Sequence, residues 1–307
     1  MRKLNLHRVG AALALLTLAA CARSPRVTPL PLFPFTLDID RAEIVSDGVV
    51  HRYLHASTER WAIHVLDVDL ARCNSVLALK GTDTAAGRIR TSDILARAAS
   101  EHAIVAGVNA DFFSLANGTP VNLLIVNGKQ LTPPATRPVF AMDSAGVPHI
   151  GFFASGMGKI LPFHPREAVG GRPIVVKDSA LTLDVDTIGG GAFASARHPR
   201  TAVGIAEHGR RLIFVVVDGR QAPYSDGMTL RELGWLMLAL GAHDALNLDG
   251  GGSTTMLYAD STRDGALRVA NWPSDREGER AVGNALGIAA ECDGATPRAV
   301  RQSVAPR

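Results

Sequence analysis

The chain has 307 residues, 47% of them hydrophobic and 5% aromatic, with a formal charge of +3 at neutral pH. That length holds one large domain or two small ones, and the apolar share is enough for a core. Arg2, Lys3 and Arg8 at the N-terminus account for the excess charge; runs of Lys and Arg are missing and the few aromatics are not interleaved with cations, which excludes a nucleic-acid footprint.

Residues 1–21 read as a lipoprotein signal peptide: a basic start, an apolar stretch from Val9 to Ala20, then Leu18-Ala19-Ala20-Cys21. The stretch is shorter than the roughly 20 residues needed to span a bilayer. The tetrapeptide resembles a lipobox, which implies cleavage before Cys21 and acylation of its thiol; ordinary cleavage that leaves Cys21 free is the alternative. Ala22, in place of Asp, implies sorting to the outer membrane, so the chain is expected in the cell envelope, lipid-anchored and facing the periplasm. Residues 22–34 carry four prolines and read as a tether. A domain is expected over residues 35–295, with a disordered tail at 296–307. Cys73 and Cys292 remain after acylation, and they are either a disulfide or two buried thiols.

Short apolar runs separated by turn residues dominate the domain. Glu43–Val45 and Val49–Leu54 flank Asp47-Gly48, Val121–Val126 and Gln130–Leu131 flank Asn127-Gly128, and Thr201–Ala206 and Arg211–Val217 flank His208-Gly209; each reads as a hairpin. Further strands are expected at Trp61–Asp67, Ser75–Leu79, Ile104–Val108, Val139–Met142, Ala245–Leu248, Thr254–Tyr258 and Ala285–Ala289. Two helices are marked. One is capped by Thr91 or Ser92 and runs to about Glu101; the other opens on the capping box Thr229-Leu230-Arg231-Glu232 and stops at Gly241. These signals predict an α+β fold: a single domain with a large twisted mixed β-sheet and a few packing helices.

The run Asn247-Leu248-Asp249-Gly250-Gly251-Gly252-Ser253-Thr254-Thr255 puts one carboxylate at the mouth of a glycine loop that ends in hydroxyls. Glycines let main-chain N–H groups converge on an anion without a Cβ in the way; the bland reading is a tight turn. The order of strand, Asp218-Gly219-Arg220 loop, capped helix, strand and Asp249 loop looks like a β-loop-α-β unit. Were the two strands parallel neighbours, Asp218, Arg220 and Asp249 would approach one crevice.

Five segments together resemble the phosphodiester glycosidase family, that of the mannose-6-phosphate uncovering enzyme. They are Gly107-Val-Asn-Ala-Asp-Phe-Phe113, Arg200-Thr-Ala-Val-Gly204, Val217-Asp-Gly-Arg220, Gly227-Met-Thr-Leu-Arg-Glu-Leu233 and Asn247 to Thr254. Asn271-Trp-Pro-Ser-Asp275 with Arg280-Ala-Val-Gly-Asn284 is a sixth match, so the similarity covers roughly Ala103 to Ala289. Where many relatives carry Gly-Gly before the paired phenylalanines, this chain has Ala110-Asp111.

The resemblance implies a hydrolase that cuts the bond between an anomeric carbon and a phosphodiester, with a carbohydrate phosphodiester as substrate. A phosphomonoester leaving group has a second pKa near 6, so one carboxylate plus cations can serve where other glycosidases need two carboxyl groups. Asp249 is expected as nucleophile or general base, with Gly250, Gly251, Gly252, Ser253 and Thr254 holding the anion. Arg200, Arg220 and Arg280 are the phosphate candidates. Asp218 and Asp111 remain for acid/base or metal work, and Asn109 and Asn247 for orienting sugar hydroxyls or backbone. No cofactor is required, although Ca²⁺ or Mg²⁺ on Asp111, Asp218 or Asp249 is compatible with oxygen ligands.

Rival readings are weaker. A serine hydrolase lacks Gly-x-Ser-x-Gly and Ser-x-x-Lys. A zinc hydrolase lacks His-Glu-x-x-His, and His198 and His243 are isolated. The alternative from another class is a non-catalytic envelope lipoprotein that binds glycan, with Trp272 as its best sugar platform.

Overall fold

Strand Arg211–Val217 explains the architecture, because Leu212, Phe214 and Val216 face one hydrophobic core and Ile213, Val215 and Val217 face another. A strand covered on both sides has no reason to alternate apolar with polar residues, and this one is continuously apolar from Leu212 to Val217. The computed structural model describes residues 35–152, 163, 165–182, 191–260 and 265–291. The signal, Cys21, the 22–34 tether and the 296–307 tail lie outside the described residues.

In chain order the first strands are β1 (Ile39–Ser46), β2 (Val49–Ala56), β3 (Trp61–Asp69), β4 (Asn74–Lys80) and β5 (Ile89–Arg90). Helix α1 (Thr91–Ala98) precedes β6 (Ile104–Asn109), β7 (Leu124–Val126), β8 (Lys129–Thr132), β9 (Val139–Asp143), β10 (Pro148–Gly151), β11 (Pro165–Gly170), β12 (Ile174–Lys177) and β13 (Ala180–Leu181). After α2 (Gly191–Ser195) come β14 (Arg200–Ala206), β15 (Arg211–Val217), α3 (Leu230–Ala239), β16 (Asp244–Asn247), β17 (Met256–Ala259), β18 (Leu267–Val269), β19 (Ala281–Val282) and β20 (Asn284–Ala290).

The α+β class is as expected, and the strands are divided among several antiparallel sheets. An eight-stranded sheet has the order β1-β2-β3-β15-β14-β16-β12-β13, and two five-stranded sheets have the orders β10-β9-β11-β7-β8 and β18-β17-β6-β20-β4. The main core lies between the large sheet and the two smaller ones; α3 covers the outer face of the large sheet and α1 packs on the outer face of the β6 sheet. The layers therefore run helix, sheet, sheet, helix.

Helix α3 begins as its sequence dictates: the Thr229 side chain accepts from the Glu232 N–H and the Glu232 side chain accepts from the Thr229 N–H, a complete capping box. Gly241 follows at φ +90°, a conformation that glycine adopts without strain. Helix α1 departs from expectation. Arg90 is its N-cap and makes no side-chain cap; Thr91 and Ser92 are already helical, and the Ser92 N–H is met by Glu279 Oε2 at 3.0 Å. A distant carboxylate takes over the role of a local cap. Cys73 is disulfide-bonded, and its carbonyl accepts from the Glu291 N–H at 3.0 Å; Cys292, the partner that the sequence suggests, lies outside the described residues.

Strands β15 and β16 are parallel to each other but are not neighbours: both pair antiparallel with β14, which lies between them. The register sets Arg200 opposite Val217 and Ala202 opposite Asn247. The C-terminal ends of β15 and β16 and the start of β14 thus share one edge, where Asp218, Arg200 and the Asp249 loop emerge.

Candidate active site

Asn109, at the end of β6, ties the two sheet systems together. Its Nδ2 donates to the Asp249 carbonyl at 2.7 Å, while its Oδ1 accepts from Thr201 Oγ1 at 2.8 Å and from the Thr255 N–H at 3.1 Å. The Asp249 N–H in turn donates to the Ala110 carbonyl at 2.8 Å. With these bonds made and the residue buried, Asn109 orients backbone. Asn247 does the same on the other side, donating to the Arg172 carbonyl at 2.6 Å.

The Asp249 carboxyl, partly open to solvent, accepts from the Gly250 N–H at 3.0 Å, and burial pushes its pKa up to about 6 against the pull of Ser253, Gly250 and Arg280. Asp111 is fully buried beside it. Its main-chain N–H donates to Asn284 Oδ1 at 2.7 Å, yet neither carboxylate oxygen has a hydrogen bond of ordinary geometry. Burial and the charge of Asp249 push its pKa up to about 8, with Arg137 and nearby N–H groups opposing. Two carboxyls in one site cannot cheaply both ionise, so one keeps its proton. Gly170 makes room for the arrangement, since a Cβ there would lie 2.6 Å from Asp111 Oδ2.

Two guanidinium groups lie on the glycine loop. A Cβ on Gly251, which has φ +64°, would meet Arg220 Nη1 and Nη2 at 3.2 Å, and a Cβ on Gly252 would meet Arg280 Nη2 at 2.2 Å and Asp275 Oδ1 at 2.3 Å. The missing side chains are what allow both cations to reach the loop. Arg280 is held in place by Asp275 through bonds of 2.8 and 3.1 Å. Arg220 sits 3.4 Å from His198 Nδ1, whose pKa is lowered by burial and by the charges of Arg200 and Arg220. The buried Thr254 hydroxyl has no hydrogen-bond partner, while the Ser253 hydroxyl interacts with the Asp249 carboxyl, so the loop keeps an unused donor next to two cations.

Arg200 and Asp218 stand apart from this group. Arg200 is buried, with Nε on the Met228 carbonyl at 2.8 Å and Nη2 on those of Phe193 and Ala196 at 2.7 and 3.2 Å, so it ties α2 and the α3 approach to the sheet. Burial and Arg220 push its pKa down to about 10. Asp218 accepts from Asn271 Nδ2 at 3.0 Å and the Trp272 N–H at 2.9 Å on one oxygen, and from the Tyr224 hydroxyl at 3.1 Å on the other. Its pKa is raised to about 6 by burial. Asp111, Asp218 and Asp249 do not converge as one ligand set; among the described residues, the carboxylate and imidazole atoms that lie within 4.8 Å of one another as a trio are those of Asp178, His243 and Asp244.

Several participants had no clear sequence signal. Asn122, just before β7, and Arg137, in the loop before β9, both act on the Asp111 carboxyl, the first through its backbone N–H and the second through its charge; nothing local in the sequence marks either. Asn284 lies in a quoted motif but without a role. His198 looks isolated in the sequence because its partner, Arg220, is brought by a different loop.

The family model described as phosphodiester glycosidase matches residues 102–289, which contain every one of these loops. The chain belongs to the phosphodiester glycosidase family. No curated protein matches the sequence. Among solved structures, a hypothetical protein from Synechocystis superposes with a TM-score of 0.64 at 16% identity, covering 81% of this chain and 63% of that one. This chain thus spans less than two thirds of that protein. The zebrafish N-acetylglucosamine-1-phosphodiester alpha-N-acetylglucosaminidase catalytic domain, auto-inhibited by its pro-peptide, superposes with a TM-score of 0.59 at 20% identity, covering 82% of this chain and 81% of that one. At such identities these likenesses show the shared fold.

Proposed function

We propose that this member of the family hydrolyses a sugar 1-phosphodiester, releasing free sugar and a phosphomonoester. The observation that carries the reading is the coupled pair Asp111 and Asp249 beside a glycine loop on which Arg220 and Arg280 lie. Near neutral pH Asp249 is the ionised partner and Asp111 keeps its proton. Asp249 acts at the anomeric carbon, either by bonding to it to give a glycosyl ester that water then hydrolyses to free sugar, or by taking a proton from the attacking water. The bond from that carbon to the phosphate oxygen breaks, and its electron pair leaves on the phosphomonoester. Arg220, Arg280 and the loop N–H groups stabilise the charge that develops there. Asp111 is placed to hold a sugar hydroxyl or to supply a proton. Asp218, Asn109, Asn247 and Arg200 position these groups.

The leader residues alone support the site of action: the cell envelope, with Cys21 acylated and the domain tethered through residues 22–34. The name of the zebrafish neighbour makes N-acetylglucosamine 1-phosphodiesters the first donors to try.

The experiment is release of free sugar from α- and β-linked sugar 1-phosphodiesters by protein lacking residues 1–21, alongside Asp249→Asn and with an EDTA arm. Turnover abolished by the substitution in a folded protein supports the reading. Undiminished turnover in Asp249→Asn removes Asp249 from the chemistry, and no release from any donor removes the glycosidase reading. Loss of turnover in EDTA would return a divalent cation to Asp111 and Asp249.

A further inference from the structure

His51 of β2 and His64 of β3 are buried, with the Tyr258 ring of β17 stacked on His51 at 4.1 Å between centroids and the Tyr53 ring 4.9 Å from His64. Their nitrogens form one line. Glu43 Oε1 lies 3.0 Å from His51 Nδ1, His51 Nε2 lies 3.1 Å from His64 Nδ1, and His64 Nε2 lies 3.8 Å from Asp218 Oδ2. The outer end, Glu43, has a side chain 45% exposed. The inner end is the buried carboxylate that fixes Asn271 and, through it, the Thr254 carbonyl of the glycine loop. Glu43, His51 and His64 all precede the stretch shared with the family, and none has a part in the hydrolysis proposed above.

An imidazolium cannot carry charge along this line. Burial pushes the pKa of His51 down to about 4 and that of His64 down to about 3; Glu43 pulls the first upward, while Arg268 opposes a charge on either ring. Each ring therefore carries one proton, and the bond made at one nitrogen decides where it sits. The other titratable and charged groups lie at the two ends. Tyr258 and Arg268 meet Glu43, with Asp260 on Arg268 at 3.0 Å, and Tyr224 meets Asp218.

Two neutral rings in line cannot give an N–H to both end carboxylates. If His51 donates to Glu43, its Nε2 is bare and accepts from His64 Nδ1, which leaves His64 Nε2 bare opposite Asp218. Serving Asp218 reverses both rings. The distances show which end is served: the Glu43 contact and the middle one are made, whereas His64 Nε2 is buried, without a hydrogen-bond partner, and too far from Asp218 for one.

We propose that Glu43 governs the ionisation of Asp218 through the paired tautomers of His51 and His64, which are positioning residues for the glycine loop. With Glu43 ionised both rings are Nδ1–H, and the lone pair on His64 Nε2 favours an Asp218 that keeps its proton and donates it there. The opposite state is reached by three transfers in line. Asp218 gives a proton to His64 Nε2, His64 Nδ1 gives one to His51 Nε2, and His51 Nδ1 gives one to Glu43. Three bonds to hydrogen break and three form, and neither ring is charged in the state that results. Glu43 is then neutral, both rings are Nε2–H, and Asp218 is ionised with a fourth donor beside Asn271, the Trp272 N–H and Tyr224. The frame of the glycine loop thus answers to a group on an edge strand of the large sheet. None of this needs a substrate, so the hydrolysis reading and the relay fail separately.

The experiment is NMR of the ring nitrogens, with titration of the Asp218 carboxyl carbon, on the unaltered protein and on Glu43→Gln. At neutral pH the unaltered protein should have both rings bare at Nε2. In Glu43→Gln the outer end carries no charge, so Asp218 is the carboxylate left to be served. Both rings should then be bare at Nδ1, and the proton affinity of Asp218 should fall about tenfold or more. A merely structural Glu43 would leave the tautomers where they were. Rings bare at Nδ1 in the unaltered protein, an imidazolium in either at neutral pH, or tautomers or an Asp218 titration unmoved in Glu43→Gln overturns the relay. The first two of these are read on the unaltered protein alone, whether or not the variant folds.

Discussion

The eight-stranded sheet has titratable side chains at both ends, and the two ends treat them in opposite ways. At the end remote from the glycine loop, His149, His208, His243, Lys177 and Asp244 surround an open cavity of about 330 Å³. There Asp244 accepts from Lys177 Nζ and from the Asp178 N–H, both at 3.0 Å, and His243 and Asp178 are exposed. Each charge is paired or wet. At the glycine-loop end Asp111 is buried with neither oxygen in a hydrogen bond of ordinary geometry, and two guanidiniums are set against a loop stripped of side chains. A well-shaped hollow costs the protein little, whereas a buried, poorly satisfied carboxyl destabilises the fold and persists where it has a task.

The sharpest test of this contrast is Asp249→Asn, expected to lower kcat by about a thousandfold or more while Tm stays within a few degrees, as read by sugar release and thermal unfolding. Asp111→Asn is expected to cost about a hundredfold and to change the pH profile. With both acids present, turnover should rise through about pH 6 as Asp249 ionises and fall through about pH 8 as Asp111 loses its proton. The asparagine variant should lose the alkaline limb, and a retained limb would assign it to another group.

Gly252→Ala comes next. The added Cβ would collide with Arg280 and Asp275, so KM is expected to rise about ten- to a hundredfold with a smaller change in kcat. An unchanged KM would mean that the cations do not need the loop's bare surface. The pH dependence of stability follows from the raised carboxyls. Asp111 at about 8 and Glu167 at about 7 hold protons in the folded state that the unfolded chain has already released, so stability is lost as pH rises through those values. The depressed His51, at about 4, and His64, at about 3, act in the other direction, but only below their unfolded value of 6.5. Between pH 6.5 and 9 the carboxyls act alone, and Tm should fall by about 5 °C, less in Asp111→Asn. The smallest effect belongs to the remote end: His243→Ala should leave turnover unchanged and shift stability by less than about 0.5 kcal/mol.

The sequence makes local features legible and leaves the joins open. The Asn127-Gly128 hairpin is visible because both residues take positive φ, at 47° and 76°, which few other pairs tolerate. The Thr229 capping box is equally self-contained. The glycine loop and its carboxylate can be read as a site because spacing alone puts an acid next to bare backbone. The pairing order cannot be read so directly. That β14 separates β15 from β16 depends on long-range partners, as does the charge that Arg137 brings to Asp111. Arg200 shows the limit most clearly: as a residue type it suits phosphate, but the carbonyls of Met228, Phe193 and Ala196 take up its donors.

The last described strand, β20, is inserted between β6 and β4, with Ala285 opposite Asn109, and its first residue supplies the oxygen that receives the Asp111 N–H. Strands made early in synthesis therefore wait for nearly the whole chain before their edges are closed. Such non-local pairing makes for slow folding, because a long loop must be ordered before the contact repays it. A ribosome that stops short of residue 284 releases a chain with two open β edges and no assembled cleft. Assembly of this site is thus a report that translation has passed β20.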